Sequence, residues 1–146
     1  MSLVQYPWDI VEMPTKIDAF GSVTSAEVGK EIPFHVRHMH WLHDVALLPS
    51  ADGGYASFHT NQLMIPLVGG CEVRLSDGVT NRSVVLESQP WRGKALALWC
   101  KPGSWRELVT PDAGSVILVL SDRREEDAQY VRDWGTYLEG VGKSRG

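Results

Sequence analysis

Cysteine is scarce: Cys71 and Cys100 are the only two in 146 residues. They form no CxxC pair, which argues against a disulfide scaffold or a thiol redox motif and reads as buried thiols in a reducing compartment. Long apolar runs are missing as well. None approaches the ~18 residues a membrane-spanning helix needs, so no membrane partner is expected. The opening MSLVQYPWDIVEM has no basic stretch followed by an apolar core, so no secretion signal is expected and the cytoplasm is the default location. Positive charge is short too, with 14 Lys and Arg against 18 Asp and Glu and a formal net charge of −4. That balance offers no basic field for nucleic acid, although a small anionic ligand needs only local charge. P-loop, GxGxxG, GxSxG and zinc-protease motifs are all absent.

What is present is the pattern of an all-β domain. Apolar residues make up 43% and charged residues 22% of the chain, which fits one ordinary globular domain over residues 1–146. A domain of this size buries roughly 70% of its unfolded surface, so a true core is expected. Short apolar runs alternate with turn residues. They predict strands at His35–His43, Tyr55–His59, Leu63–Leu67, Glu72–Leu75, Ser83–Leu86, Ala95–Trp99, Glu107–Val109 and Ser115–Leu120. Gly53-Gly54, Gly69-Gly70, Pro102-Gly103 and Pro111-Asp112 read as turns, and Asp77-Gly78 as a hairpin turn. The segment REEDAQYVRDWGTYLEG breaks this pattern, because Tyr130, Val131, Trp134, Tyr137 and Leu138 fall on one helical stripe. It predicts a C-terminal helix over 122–139, capped by Ser121 or Asp122. Eight strands and one terminal helix point to a double-sheet jelly roll.

Four ordered pieces of the chain carry a family resemblance. They are KIDAFGSV with EIPFHVRHMHWLHD, then NQLMIPLVGGCEVRLSDG, then LWCKPGSWREL, then VILVLSDRREEDAQYVRDW. Together they resemble the sugar-nucleotide 3,4-ketoisomerases, WxcM-like cupins that shift the carbonyl of a dTDP-4-keto-6-deoxyhexose to carbon 3. The resemblance implies a cupin barrel, a dTDP- or UDP-linked sugar as ligand, no cofactor, and a homodimer that exchanges N-terminal strands from about residues 1–30. The family writes Arg-Gly-aromatic-His-Ala-His-Lys ahead of its glutamine. Counted back from Gln62, this chain has Tyr55 and Ser57 where the family has its two histidines. On the preceding strand Arg37, His38 and His40 stand for the family's Lys, Arg and Tyr, and Trp105-Arg106-Glu107 stands for Trp-His-Glu.

The positions that hold a metal in other cupins are therefore Tyr55, Ser57, Gln62 and Arg106. An amide and a guanidinium are poor cation ligands, so no metal is expected there. Strand alternation puts His38 and His40 on one face, with His35 and His43 on the other. Tyr55, Ser57 and His59 share a face by the same parity. His38, His40, Tyr55 and His59 are the candidate acid/base residues, because imidazole exchanges protons near neutral pH and a phenol donates to a developing oxyanion. Ser57, Gln62, Arg106, Trp105 and Arg37 are the candidate substrate contacts, arginine for a diphosphate and tryptophan for a base ring. Arg74, Arg82 and Arg92 are further cations. Two other readings stay open: a cupin that binds a nucleotide sugar without reacting on it, and a relocated metal site on His38, His40 and His59.

Overall fold

The computed structural model describes residues 5–43, 54–88, 94–109 and 112–145. Gly53, Arg92 and Pro111, each used above, lie outside the described residues. The strands are β1 (Trp8–Asp18), β2 (Gly21–Thr24), β3 (His38–His43), β4 (Tyr55–Ala56) and β5 (Gln62–Val68). They continue as β6 (Gly70–Ser76), β7 (Asn81–Glu87), β8 (Lys94–Cys100), β9 (Trp105–Val109) and β10 (Val116–Ser121). One sheet has the order β2-β1-β8-β5-β10-β3, the other β4-β9-β6-β7. Strands far apart in sequence pair antiparallel, β1 with β8 and β5 with β10, as in a jelly roll. Every strand expected from the residues is found, with shifted ends. β1 and β2 add a hairpin within the N-terminal stretch.

Local chemistry explains several elements. At the β6–β7 hairpin, Asp77 Oδ1 accepts from the amides of Val79 at 2.9 Å and Thr80 at 2.6 Å, and Gly78 takes φ 95°. In β5, five successive residues from Gln62 are buried. Met64 faces the space between the sheets, while Leu63 and Ile65 pack with Met13, Ile32, Ala97 and Leu120 on the opposite face. Pro66 lies beyond Met64, where the pairing of β5 with β8 ends, and stands opposite Ile117 of β10. The inter-sheet core contains Met64, Cys71, Val73, Leu75, Leu86, Leu98, Cys100, Ile117 and Val119. Cys71 is buried as expected, and burial with nearby Asp112 pushes its thiol up to about 11, so it stays protonated and inert at neutral pH.

The C-terminal helix differs from its expected span. It is α1 (Trp134–Arg145), preceded by a single 3-10 turn at Glu125–Asp127. Two of the five stripe residues are taken by the barrel instead. Val131 forms an isolated antiparallel bridge with Ala56, with N–O distances of 2.7 and 2.9 Å. Gln129 takes φ 54°, which redirects the chain. The Tyr130 hydroxyl accepts a hydrogen bond from Gln62 Nε2 at 2.7 Å. The cap is Asp133, whose Oδ2 accepts from the Thr136 amide at 2.9 Å. Ser121 ends β10, and Asp122 takes two hydrogen bonds from Asn61 at 2.9 Å each. Tyr137, fully buried, packs the helix against Trp105, Phe58 and Ala56 on the outside of the smaller sheet.

Candidate active site

On the edge strand β3, His38, His40 and Leu42 alternate with exposed Met39, Trp41 and His43. His40 is opposite Val119 and His38 opposite Ser121, and Val119 belongs to the inter-sheet core. The histidine pair therefore looks into the barrel, with ring centroids 5.5 Å apart. Glu125, from the 3-10 turn, brings Oε2 to 3.5 Å from His38 Nε2. His40 is held below the usual histidine range by burial and by His38, so its ring is neutral at pH 7.

The other half of the site centres on Arg106. On β9 it is opposite Leu75 and Tyr55, which aims it inward, and it is fully buried. It donates to Gln62 Oε1 at 3.3 Å and Ser104 Oγ at 3.1 Å, and lies 4.9 Å from the centre of the Tyr55 ring. Among the described residues no carboxylate pairs with it. A buried guanidinium served only by neutral groups leaves a positive field inside the barrel. Tyr55 donates to the same Gln62 oxygen at 3.1 Å and meets Tyr130 edge-on at 5.2 Å. Arg132 stands 5.5 and 5.7 Å from the two ring centres. Burial, with a smaller contribution from Tyr55, pushes Tyr130 up to about 12. Burial also raises Tyr55, against the pull of Arg106. Both phenols therefore keep their protons at neutral pH; the Tyr55 O–H is given to Gln62 Oε1, while the Tyr130 oxygen accepts from Gln62 Nε2.

His38, His40, Tyr55, Gln62 and Arg106 are thus gathered at one end of the barrel. Four other expected residues are not. Strand β4 stops at Ala56, so parity does not carry on to His59, whose side chain is exposed. Ser57 is fully buried away from solvent. Its hydroxyl donates to the Ala128 carbonyl at 2.7 Å and accepts from the amides of His59 at 3.2 Å and Thr60 at 3.1 Å. It has no donor left for a ligand. Trp105 alternates with Arg106 and faces outward, 5.1 Å from Trp134 and 5.3 Å from Tyr137. It lines an outer cavity of about 530 Å³ with Arg74 and Arg82. Arg37 is exposed just before β3, and its amide bonds the Ser121 carbonyl at 2.8 Å.

The structure adds Tyr130, Glu125 and Arg132 to this group, beside Gln62, His38 and the two phenol rings respectively. Tyr130 fits the helical stripe by spacing, and it also belongs to the Tyr-Val-Arg within the last piece of the family resemblance.

A metal at the usual cupin position does not fit these residues. Arg106, a buried cation, stands where the last histidine ligand would be, and Gln62 is already engaged by Tyr55, Arg106 and Tyr130.

The two curled antiparallel sheets, with polar residues gathered at one end of the barrel, define a cupin of the jelly-roll type. The profile described as "FdtA: WxcM-like, C-terminal" matches residues 7–142, and the chain belongs to that family. A TDP-4-oxo-6-deoxy-α-D-glucose-3,4-oxoisomerase from Aneurinibacillus thermoaerophilus is 25% identical over 134 residues, which cover 92% of this chain and 92% of that one. A 3,4-ketoisomerase from Helicobacter canadensis superposes with a TM-score of 0.82 at 27% identity, covering 94% of this chain and 99% of that one. A sugar 3,4-ketoisomerase from Thermoanaerobacterium thermosaccharolyticum in complex with TDP has the same fold, with TM-score 0.82, 22% identity, and coverage of 97% and 98%.

Proposed function

We propose that this protein is a cytoplasmic, metal-independent sugar-nucleotide 3,4-ketoisomerase acting on a TDP-4-keto-6-deoxyhexose. The observation that carries the reading is the gathering of the His40 imidazole, the Tyr55 and Tyr130 phenols and the buried Arg106 guanidinium at one end of a barrel of this family. Moving a carbonyl from C4 to C3 requires a base to take the C3 proton. It also requires donors for the enediolate oxygens and return of a proton to C4. Neutral His40 supplies the base. Tyr130 supplies an O–H donor, Tyr55 does so once its bond to Gln62 is released, and buried Arg106 stabilises the negative charge that develops between them. Relatives with TDP and with TDP-4-keto-6-deoxyglucose bound supply the ligand class.

A homodimer is part of this proposal. Among the described residues, β1 pairs with β8 over Trp8–Pro14, and Thr15–Asp18 pair with β2. The hairpin so formed carries Phe20 at 99% exposure, as an element awaiting a second copy would. Sedimentation at micromolar concentration tests it, and a monomer would contradict it.

The reaction itself is tested by comparing wild type with His40→Gln. Lost turnover with retained TDP affinity is expected, and unchanged turnover would remove His40 as the base. A second reading, nucleotide-sugar binding without reaction, draws on Ser57. The family's second histidine position is sealed into backbone hydrogen bonds here. Saturable TDP binding by a protein that turns over no keto-sugar would favour it.

A further inference from the structure

His38, His40 and Glu125 form a group the isomerase reading uses only in part. Their potential ligand atoms lie within 4.8 Å of one another. The two imidazoles come from alternate residues of one strand face, and the carboxylate reaches across from the 3-10 turn. Neighbouring acids are already engaged: Arg124 pairs with Glu126 and Asp127, both at 3.1 Å. Among the described residues, Glu125 is the acid that turns to the histidines. Among the described residues, buried His40 Nδ1 has no hydrogen-bond partner, which leaves that ring with an unmet polar demand.

We propose that His38, His40 and Glu125 bind a single divalent transition-metal ion at the barrel mouth. With bonds of about 2.0–2.2 Å, ligand atoms around zinc stand roughly 3.2–3.6 Å apart. His38 and Glu125 already meet that spacing at 3.5 Å. The rest of the cluster must contract by about 1 Å. The Glu125 side chain is 62% exposed and free to rotate. Two imidazole nitrogens with one carboxylate select zinc, cobalt or nickel over calcium or magnesium, which prefer all-oxygen sets. This site is distinct from the cupin position that Arg106 occupies. Three protein ligands leave the remaining coordination positions for water or an oxygen-bearing ligand. An ion here also takes the His40 lone pair that the base needs, so zinc should inhibit rather than activate the isomerase.

The binding test uses no sugar, so its failure is separable from failure of the isomerase reading. Tag-free full-length protein is titrated with Co²⁺, read by visible absorbance, and with Zn²⁺ against a chromophoric chelator. One equivalent is expected. His38→Ala and Glu125→Gln should each weaken binding about 10-fold or more, by loss of a ligand. Exposed His43, changed to Ala, should leave it unchanged. Glu125→Gln keeps the result interpretable if a β3 variant folds poorly. Substoichiometric uptake, or equal affinity in wild type and Glu125→Gln, would show an adventitious ion only and overturn the proposal.

Discussion

Ser57→Ala separates a structural role from a ligand-binding one at a position the family fills with histidine. The substitution deletes one hydroxyl that makes three hydrogen bonds. Ala128 keeps a partner, because Thr60 Oγ1 donates to the same carbonyl at 2.8 Å. The His59 amide belongs to an exposed residue and is left out of the sum, but Thr60 is fully buried and its amide loses its acceptor. Stranding one buried donor costs about 1–3 kcal/mol, and losing the bond to Ala128 roughly another 1. The sum is about 2–4 kcal/mol. At roughly 2–4 °C per kcal/mol for a chain of this size, the thermal midpoint should drop by about 4–16 °C. Calorimetry reads the midpoint, and titration with TDP well below it reads affinity. A large fall in stability with unchanged affinity is expected. Unchanged stability with weakened TDP binding would refute the assignment of Ser57 to the scaffold.

Three further outcomes follow from named contacts. Tyr130→Phe removes a phenol that meets both Gln62 and Tyr55, so turnover should fall about 100-fold or more, measured at saturating substrate. His40 has a folded pKa below its unfolded 6.5, so the unfolded chain binds the proton first as pH falls. Its contribution to stability is therefore complete above pH 6.5 and is lost as pH drops towards the folded value. Urea midpoints should decline below pH 6.5 in wild type, and less steeply in His40→Asn. Gly140→Ala places a Cβ about 2.5 Å from Phe58 Cε2, which must leave its stack on Tyr137. Overpacking of this kind costs about 1–3 kcal/mol, visible in thermal melts.

The barrel was legible in the sequence because its strands announce themselves twice, once in apolar runs and once in turn residues such as Asp77-Gly78. The inward face of β3 was legible for the same reason, since parity holds along six paired residues. Parity failed at His59 because β4 is two residues long. The bend after it is fixed by Ser57 bonding to Ala128, 71 positions away, which no local pattern shows. Trp105 and Arg106 are both candidate substrate contacts by sequence, yet adjacent strand residues face opposite ways. The helical stripe misled for a related reason. Tyr130 and Val131 fit helical spacing, but contacts with Gln62 and Ala56 hold them on the barrel. Glu125 escaped notice because it reaches His38 only through the closing turn after β10.

The central claim is that His40, Tyr55, Tyr130 and Arg106 move a proton on a keto-sugar. The direct measurement is NMR of TDP-4-keto-6-deoxyglucose incubated with the protein in deuterated water. The account predicts loss of the C3 proton signal and appearance of the 3-keto isomer. A substrate that binds and keeps its C3 proton would contradict it.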